Sequence, residues 1–175
     1  MSTFSTDEKV QILSDIVAMN TVNDNEIEVC EYFQKLFQQH GITSTIEKVD
    51  ERRANLIAEI GETGPVIGIS GHMDVVSEGD RSQWSYEPFQ LAENDGFLYG
   101  RGAADMKSGL AALAIALIEI NNSNTLNYGK IRFLATSGEE MEQLGSQSLY
   151  EQGYMDDVEA LIIAEPCQNM LVYAH

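Results

Sequence analysis

Four stretches of this chain place Asp, Glu or His where an apolar strand ends or a helix begins. They are Ile69-Ser70-Gly71-His72-Met73-Asp74, the run YGRGAADMKSG from Tyr99 to Gly109, Leu134-Ala135-Thr136-Ser137-Gly138-Glu139-Glu140, and Ile162-Ile163-Ala164-Glu165-Pro166. Ionised groups at the ends of buried strands are costly unless something pairs them. Ligands of open α/β sheets gather outside the carboxyl ends of the strands. The recurrence therefore constrains the fold and the function together.

The segments between these stretches agree with an α/β chain. Thr6-Asp7-Glu8 supplies helix-start chemistry, and Val10, Ile12, Leu13, Ile16 and Val17 follow at helical spacing, which predicts a helix over 7–19. A second helix from residue 25 carries Ile27, Val29, Cys30, Phe33, Leu36 and Phe37 on one side and ends at His40-Gly41. Strands are predicted at 42–49, 55–60, 66–70, 130–135 and 161–164, and further helices at 107–121 and 141–152. Residues 77–98 read as a polar loop around the only tryptophan, Trp84. Helices and strands alternate without repeats or a linker, so one α/β sandwich around a single sheet is favoured over a bundle or an all-β fold.

Charge narrows the partners. The 175 residues hold 28 acidic and 10 basic side chains, a net −18, the wrong sign for neutralising phosphates. Neither nucleic acid nor an anionic membrane is expected. The start MSTFSTDEKV lacks the basic residues and apolar run of a signal peptide, and no stretch approaches the ~18 apolar residues of a membrane helix, so a cytoplasmic location is expected. Cys30 and Cys167 make no disulfide framework and no metal knuckle; both read as free thiols used for packing.

Each acidic stretch has a chemical reading and a plainer one. His72 and Asp74 are two residues apart on one face of a strand, the spacing of a metal-bound imidazole oriented by a carboxylate, or of an ordinary surface turn. Asp105 precedes the helix of AALAIALIEI and reads as a ligand or as an N-cap. Glu139 and Glu140 point different ways, so one can ligate a metal while the other serves as a general base; the alternative is an acidic first helical turn. Glu165 closes a buried strand before a proline. Three or four carboxylates and a histidine in one cleft repel one another without cations. Oxygen ligands plus imidazole, with no thiolate, suit Zn²⁺, Mn²⁺ or Co²⁺.

SGHMDVV, the W…PF…LYGRGAADMKSG block, ATSGEE and IIAEP stand in the order and spacing of the dinuclear zinc amidohydrolases, and the chain resembles that family over nearly its whole length. The family includes succinyl-diaminopimelate desuccinylase, acetylornithine deacetylase, aminoacylase and carboxypeptidase G, and the resemblance is closest to its desuccinylase members. It implies a three-layer sandwich with a central mixed sheet flanked by helices. It implies two Zn²⁺ ions per complete site, with Co²⁺ or Mn²⁺ as substitutes. His72 and Glu165 match ligands of one ion, Asp105 the bridging aspartate, usually followed by a cis peptide, and Glu140 a ligand of the second. Asp74 matches the carboxylate that orients His72, and Glu139 the general base. The reaction implied is removal of a succinyl or similar acyl group from an amino-acid amine, with deacetylation of acetylornithine or dipeptide cleavage as alternatives.

Family members are about twice as long. Residues 1–175 are thus expected to form the N-terminal part of the metal-binding catalytic domain, incomplete at its C-terminal end, with the lid or dimerisation domain and a returning segment outside them. A further histidine ligand belongs to that segment. His40 sits at a helix end, and His175 does not match the missing ligand. The isolated chain is expected to be weakly active or to behave as a non-catalytic binding module. It is also expected to be weakly stable or to pair with another copy; the parent is expected to be a homodimer.

Overall fold

The computed structural model describes residues 3–167, 170 and 172. Helices α1 (Thr6–Ala18) and α2 (Ile27–Gln39) come first, then strands β1 (Ser44–Lys48), β2 (Ala54–Ile60) and β3 (Val66–His72). After a short hairpin, β4 (Ala92–Asn94) and β5 (Phe97–Tyr99), follow α3 (Ser108–Ser123), β6 (Lys130–Thr136), α4 (Leu144–Glu151) and β7 (Val158–Ile163). Helix α1 begins with a reciprocal cap: Glu8 N–H donates to Ser5 Oγ, and Ser5 N–H donates to the Glu8 carboxylate.

The main sheet has the order β1-β2-β6-β3-β7. β1, β2 and β6 pair antiparallel, whereas β3 lies parallel to both β6 and β7. It is therefore mixed, with its parallel half at the β7 edge. Helices α1, α2 and α3 pack on one face around Phe33, Phe37, Phe133, Leu56 and Ile69, and the three phenylalanine rings stack or meet edge to face. On the other face α4 contributes Leu149, which packs against Ile57 and Leu134. This is the expected sandwich of a mixed sheet flanked by helices.

Three elements differ from the sequence reading, one of them β7, which starts at Val158 rather than 161. The polar loop 77–98 contains a 3-10 turn, Arg81–Gln83, and its last residues enter the hairpin. Asp95 (φ +52°) and Gly96 (φ +78°) form the turn, which needs two positive-φ residues in succession. Helix α4 starts at Leu144 rather than 141, because Gln143 stands in the left-handed region (φ +56°) and its N–H closes a turn onto the Gly138 carbonyl. Both cysteines are free, Cys30 buried and Cys167 half-buried.

The strand before Glu165 is not the buried one expected from its apolar run: β7 is one edge of the sheet, paired among the described residues only with β3, and Leu161, Ile162 and Ile163 are exposed there. This is the apolar edge for which weak stability or pairing was expected. Among the described residues, no helix is long and apolar enough to cross a membrane.

Candidate metal centre

The carboxyl ends of β3, β6 and β7 lie side by side, and the turn before α3 faces them. His72 is the last residue of β3, in register with Thr136 at the end of β6. Its side chain is 1% exposed. Nδ1 lies 2.8 Å from the carbonyl oxygen of Asp74, and the Asp74 carboxylate stands 3.6 Å away. With Nδ1–H donating to that carbonyl, Nε2 is left facing the cleft. There it meets Asp105 Oδ1 at 3.2 Å, Glu165 Oε1 at 3.7 Å and Glu139 Oε2 at 3.9 Å. Ligand atoms of His72, Asp105 and Glu140 all lie within 4.8 Å of one another.

Asp105 sits in the irregular turn Ala103–Lys107, where Asp105 and Met106 leave helical geometry and the peptide between them is cis. Gly102 opens the turn at φ +76°, with Val75 so close that a Cβ would stand 2.3 Å from it. The turn is held from behind. The Met106 sulfur accepts the His72 N–H at 3.1 Å, and the buried Lys107 ammonium donates to the carbonyls of Ile16 (2.8 Å) and Met19 (2.9 Å) at the end of α1. Burial pushes the Lys107 amine down to about 7 against the pull of Asp74 and Glu28.

Glu139 and Glu140 follow β6 in a turn rather than a helix. Their N–H groups donate to the two oxygens of one carboxylate, Asp74 Oδ1 at 3.1 Å and Oδ2 at 3.0 Å. Asp74 is fully buried, so it links the β3 end to the β6 end while its own carbonyl holds His72. The sequence assigned only the second of these contacts, and to the carboxylate. Asn55, a polar residue inside the apolar strand β2, was missed altogether. Its Oδ1 accepts from Ser137 N–H and Oγ–H (3.0 and 3.2 Å), and its Nδ2 donates to the Gly145 carbonyl (3.0 Å). Glu165 leaves β7 after Ala164, whose N–H donates to the Ser70 carbonyl. Helix α3 crowds this point, since a Cβ on Gly109 would lie 2.3 Å from the Ala164 oxygen.

The electrostatics bear the mark of excess negative charge. Burial opposes a charged His72 imidazole, yet the carboxylates of Asp74, Glu165 and Glu139 outweigh it and hold His72 above its ordinary value. Burial also raises Glu140, with Asp105 and Glu139 adding to the effect. Glu165 is raised by burial and by Asp105, Glu139 and Glu140, while His72 works the other way. A divalent cation suits this donor set: a ring nitrogen aimed outward at converging carboxylate oxygens. His40 makes no part of it; it stacks edge-on against Phe4 at 5.3 Å and lies 3.2 Å from the Asn122 amide. His175 lies outside the described residues.

The chain is similar to known proteins over most or all of its length. Residues 68–172 match the profile described as peptidase family M20/M25/M40. The chain is 54% identical over all 175 residues to a "Probable succinyl-diaminopimelate desuccinylase" of Staphylococcus epidermidis, of which it covers 43%. It therefore spans less than half the length of that relative. Among solved structures, human carnosine dipeptidase 1 superposes with a TM-score of 0.71 at 25% identity, over 90% of this chain and 38% of that one. An M20 family metallo-carboxypeptidase of Sulfolobus solfataricus gives 0.77 at 23% identity, over 91% and 37%. The profile covers more than half of the sequence and takes in the ends of β3, β6 and β7 together with the Asp105 turn, so the chain belongs to peptidase family M20/M25/M40.

Proposed function

We propose that these residues form part of the metal-binding catalytic domain of a two-metal amide hydrolase that removes a succinyl or similar acyl group from an amino-acid amine. The carrying observation is the convergence of Asp105, Glu139 and Glu165 on the outward Nε2 of His72, with Glu140 beside them. The S. epidermidis relative's name supports the succinyl substrate. In this reading His72, Asp105 and Glu165 hold one ion, and Asp105 and Glu140 hold the second. Zn²⁺ bound there supplies Lewis acidity toward the amide carbonyl and makes water acidic enough to be deprotonated near neutral pH.

The remaining chemistry belongs to the side chains. Glu139 is 43% exposed and reaches the cleft, so its carboxylate takes the proton of the attacking water and returns it to the leaving amine. Asp74 accepts its backbone N–H from behind, which keeps the base in place without using its carboxylate. The carbonyl of Asp74 sets the His72 tautomer that presents a lone pair to a metal. The chain covers 43% of its relative, and we assign the missing ligands and the substrate contacts to the rest of the protein.

The test uses the longer protein loaded with Zn²⁺ or Co²⁺. It should hydrolyse N-succinyl-diaminopimelate in preference to N-acetylornithine or a dipeptide, and Glu139→Gln should lower kcat about 10²–10⁴-fold with metal content unchanged. Preference for either competing substrate would move the assignment within the family. Full activity of Glu139→Gln would remove the base from the mechanism.

A further inference from the structure

Four successive backbone N–H groups, those of Ser137, Gly138, Glu139 and Glu140, donate to side-chain oxygens instead of to secondary structure. Asn55 takes the first, and Asp74 takes the third and fourth. The second, Gly138 N–H, donates to Oε1 of Glu26 at 3.0 Å. Glu26 comes from the start of α2, 112 residues away in sequence. It is fully buried, and its other oxygen, Oε2, has no hydrogen-bond partner.

Such a residue is expensive. A buried carboxyl with one oxygen unmatched costs stability that an apolar side chain of the same size would not. What it holds is the least constrained point of the turn. Gly138 stands at φ +67°, with Arg53 Nη1 only 2.9 Å from where a Cβ would be. Glycine has the widest conformational freedom of any residue, and this one lies between the strand end held by Asn55 and the two glutamates held by Asp74. Without an acceptor at Gly138, the turn would have a loose joint immediately before Glu139.

We propose that Glu26 is a positioning residue, whose Oε1 pins the Gly138 N–H and so sets the aim of the Glu139 and Glu140 carboxylates toward His72. The inference rests on the reading of that cluster as the metal site. Reach matters here and charge does not. Burial raises the Glu26 carboxyl and Asp74 adds to it, while its own backbone N–H, Arg53 and the accepted Gly138 N–H work the other way. A carboxyl that takes up a proton still keeps an oxygen that accepts.

Two variants separate reach from charge. Glu26→Gln keeps the length and the acceptor oxygen; Glu26→Asp keeps the charge and withdraws the oxygen by one methylene. The readouts on the full 175-residue chain are amide hydrogen exchange at Gly138 and Glu139 by NMR and a Co²⁺ titration, with thermal melts confirming that each variant is folded. Glu26→Gln should retain the parent's exchange rates and Co²⁺ affinity within about 2-fold. Glu26→Asp should speed Gly138 exchange and weaken Co²⁺ binding, each by about 10-fold, the lower end of what losing a supporting group costs a metal site. The reverse pattern, Asp tolerated and Gln not, would make Glu26 a charge partner of Arg53 and overturn the proposal. Unchanged Gly138 exchange in both variants would overturn it as well. If the unsubstituted 175-residue chain binds no Co²⁺ without the ligands assigned to the rest of the protein, the exchange rates alone decide the role of Glu26.

Discussion

The two sides of the Ser137–Glu140 turn are built on opposite principles. Behind it, Asn55 and Asp74 are fully buried and hydrogen-bonded to the backbone they support. In front, the side chains of Asp105, Glu139 and Glu165 are 56%, 43% and 40% exposed and converge on one imidazole nitrogen with no cationic side chain among them. Apart from the unmatched Oε2 of Glu26, the back satisfies polar groups and stabilises the fold. The front gathers like charges and, without a cation, works against the fold. Stability and chemistry are thus separated by the thickness of one backbone segment.

The largest effect should come from breaking the back. Asn55→Ala leaves the Ser137 N–H, its hydroxyl and the Gly145 carbonyl unmatched in the interior, and should cost about 3 kcal/mol in urea unfolding, on the scale of buried donors and acceptors left unpaired. A loss below roughly 1 kcal/mol would mean that water replaces the amide and would erase the contrast. The same test on the front should give the opposite sign. Glu165→Gln removes one of the crowded charges, so the metal-free chain should melt no lower than the parent and somewhat higher. Its Co²⁺ affinity should fall by about 10-fold or more in a calorimetric titration.

A smaller effect should appear with pH. His72, Glu140 and Glu165 all have folded values above their ordinary ones. Each binds more protons folded than unfolded, so the folded state loses ground as pH rises through that range. The metal-free chain should therefore melt lower at about pH 7 than at about pH 5, and saturating Zn²⁺ should flatten or reverse the slope. Lys107 acts in the opposite sense only above its depressed value of about 7. The lowered carboxyls of Asp50, Glu59 and Asp157 lose their stabilising contribution only on acidification through the range at or below the ordinary carboxylate value. A melting temperature that rose from pH 5 to pH 7 without metal would contradict the crowding of the front.

The same division explains what could be read before the structure. The front was legible: His72, Asp105, Glu139, Glu140 and Glu165 interrupt apolar runs, and a charged residue at a strand end stands out by its cost. The apolar strands β3 and β6 and the helix α3 were legible for the same reason. The back was not. Asn55 reaches a partner 82 residues away and Glu26 one 112 residues away, and neither carries a local mark of that distance. The start of α4 was misplaced because Glu139 to Glu142 has the composition of an acidic first turn, while two of its N–H groups are already committed to Asp74. The β4–β5 hairpin escaped because three residues per strand give too little alternation to see.

The parallel pairing of β3 with β6 and β7 carries a consequence for the order of events during folding. His72 and Asp74 meet Glu139 and Glu140 across 65 or more residues of chain, and Glu165 joins only when β7 docks beside β3. Contacts this distant form late, because the closure entropy of the intervening segments is lost before they reward it. A metal ion then finds no assembled site in the early chain and cannot act as a template for it. Its influence falls on the rate of leaving the native state: added Zn²⁺ should slow unfolding markedly and leave the refolding rate nearly unchanged.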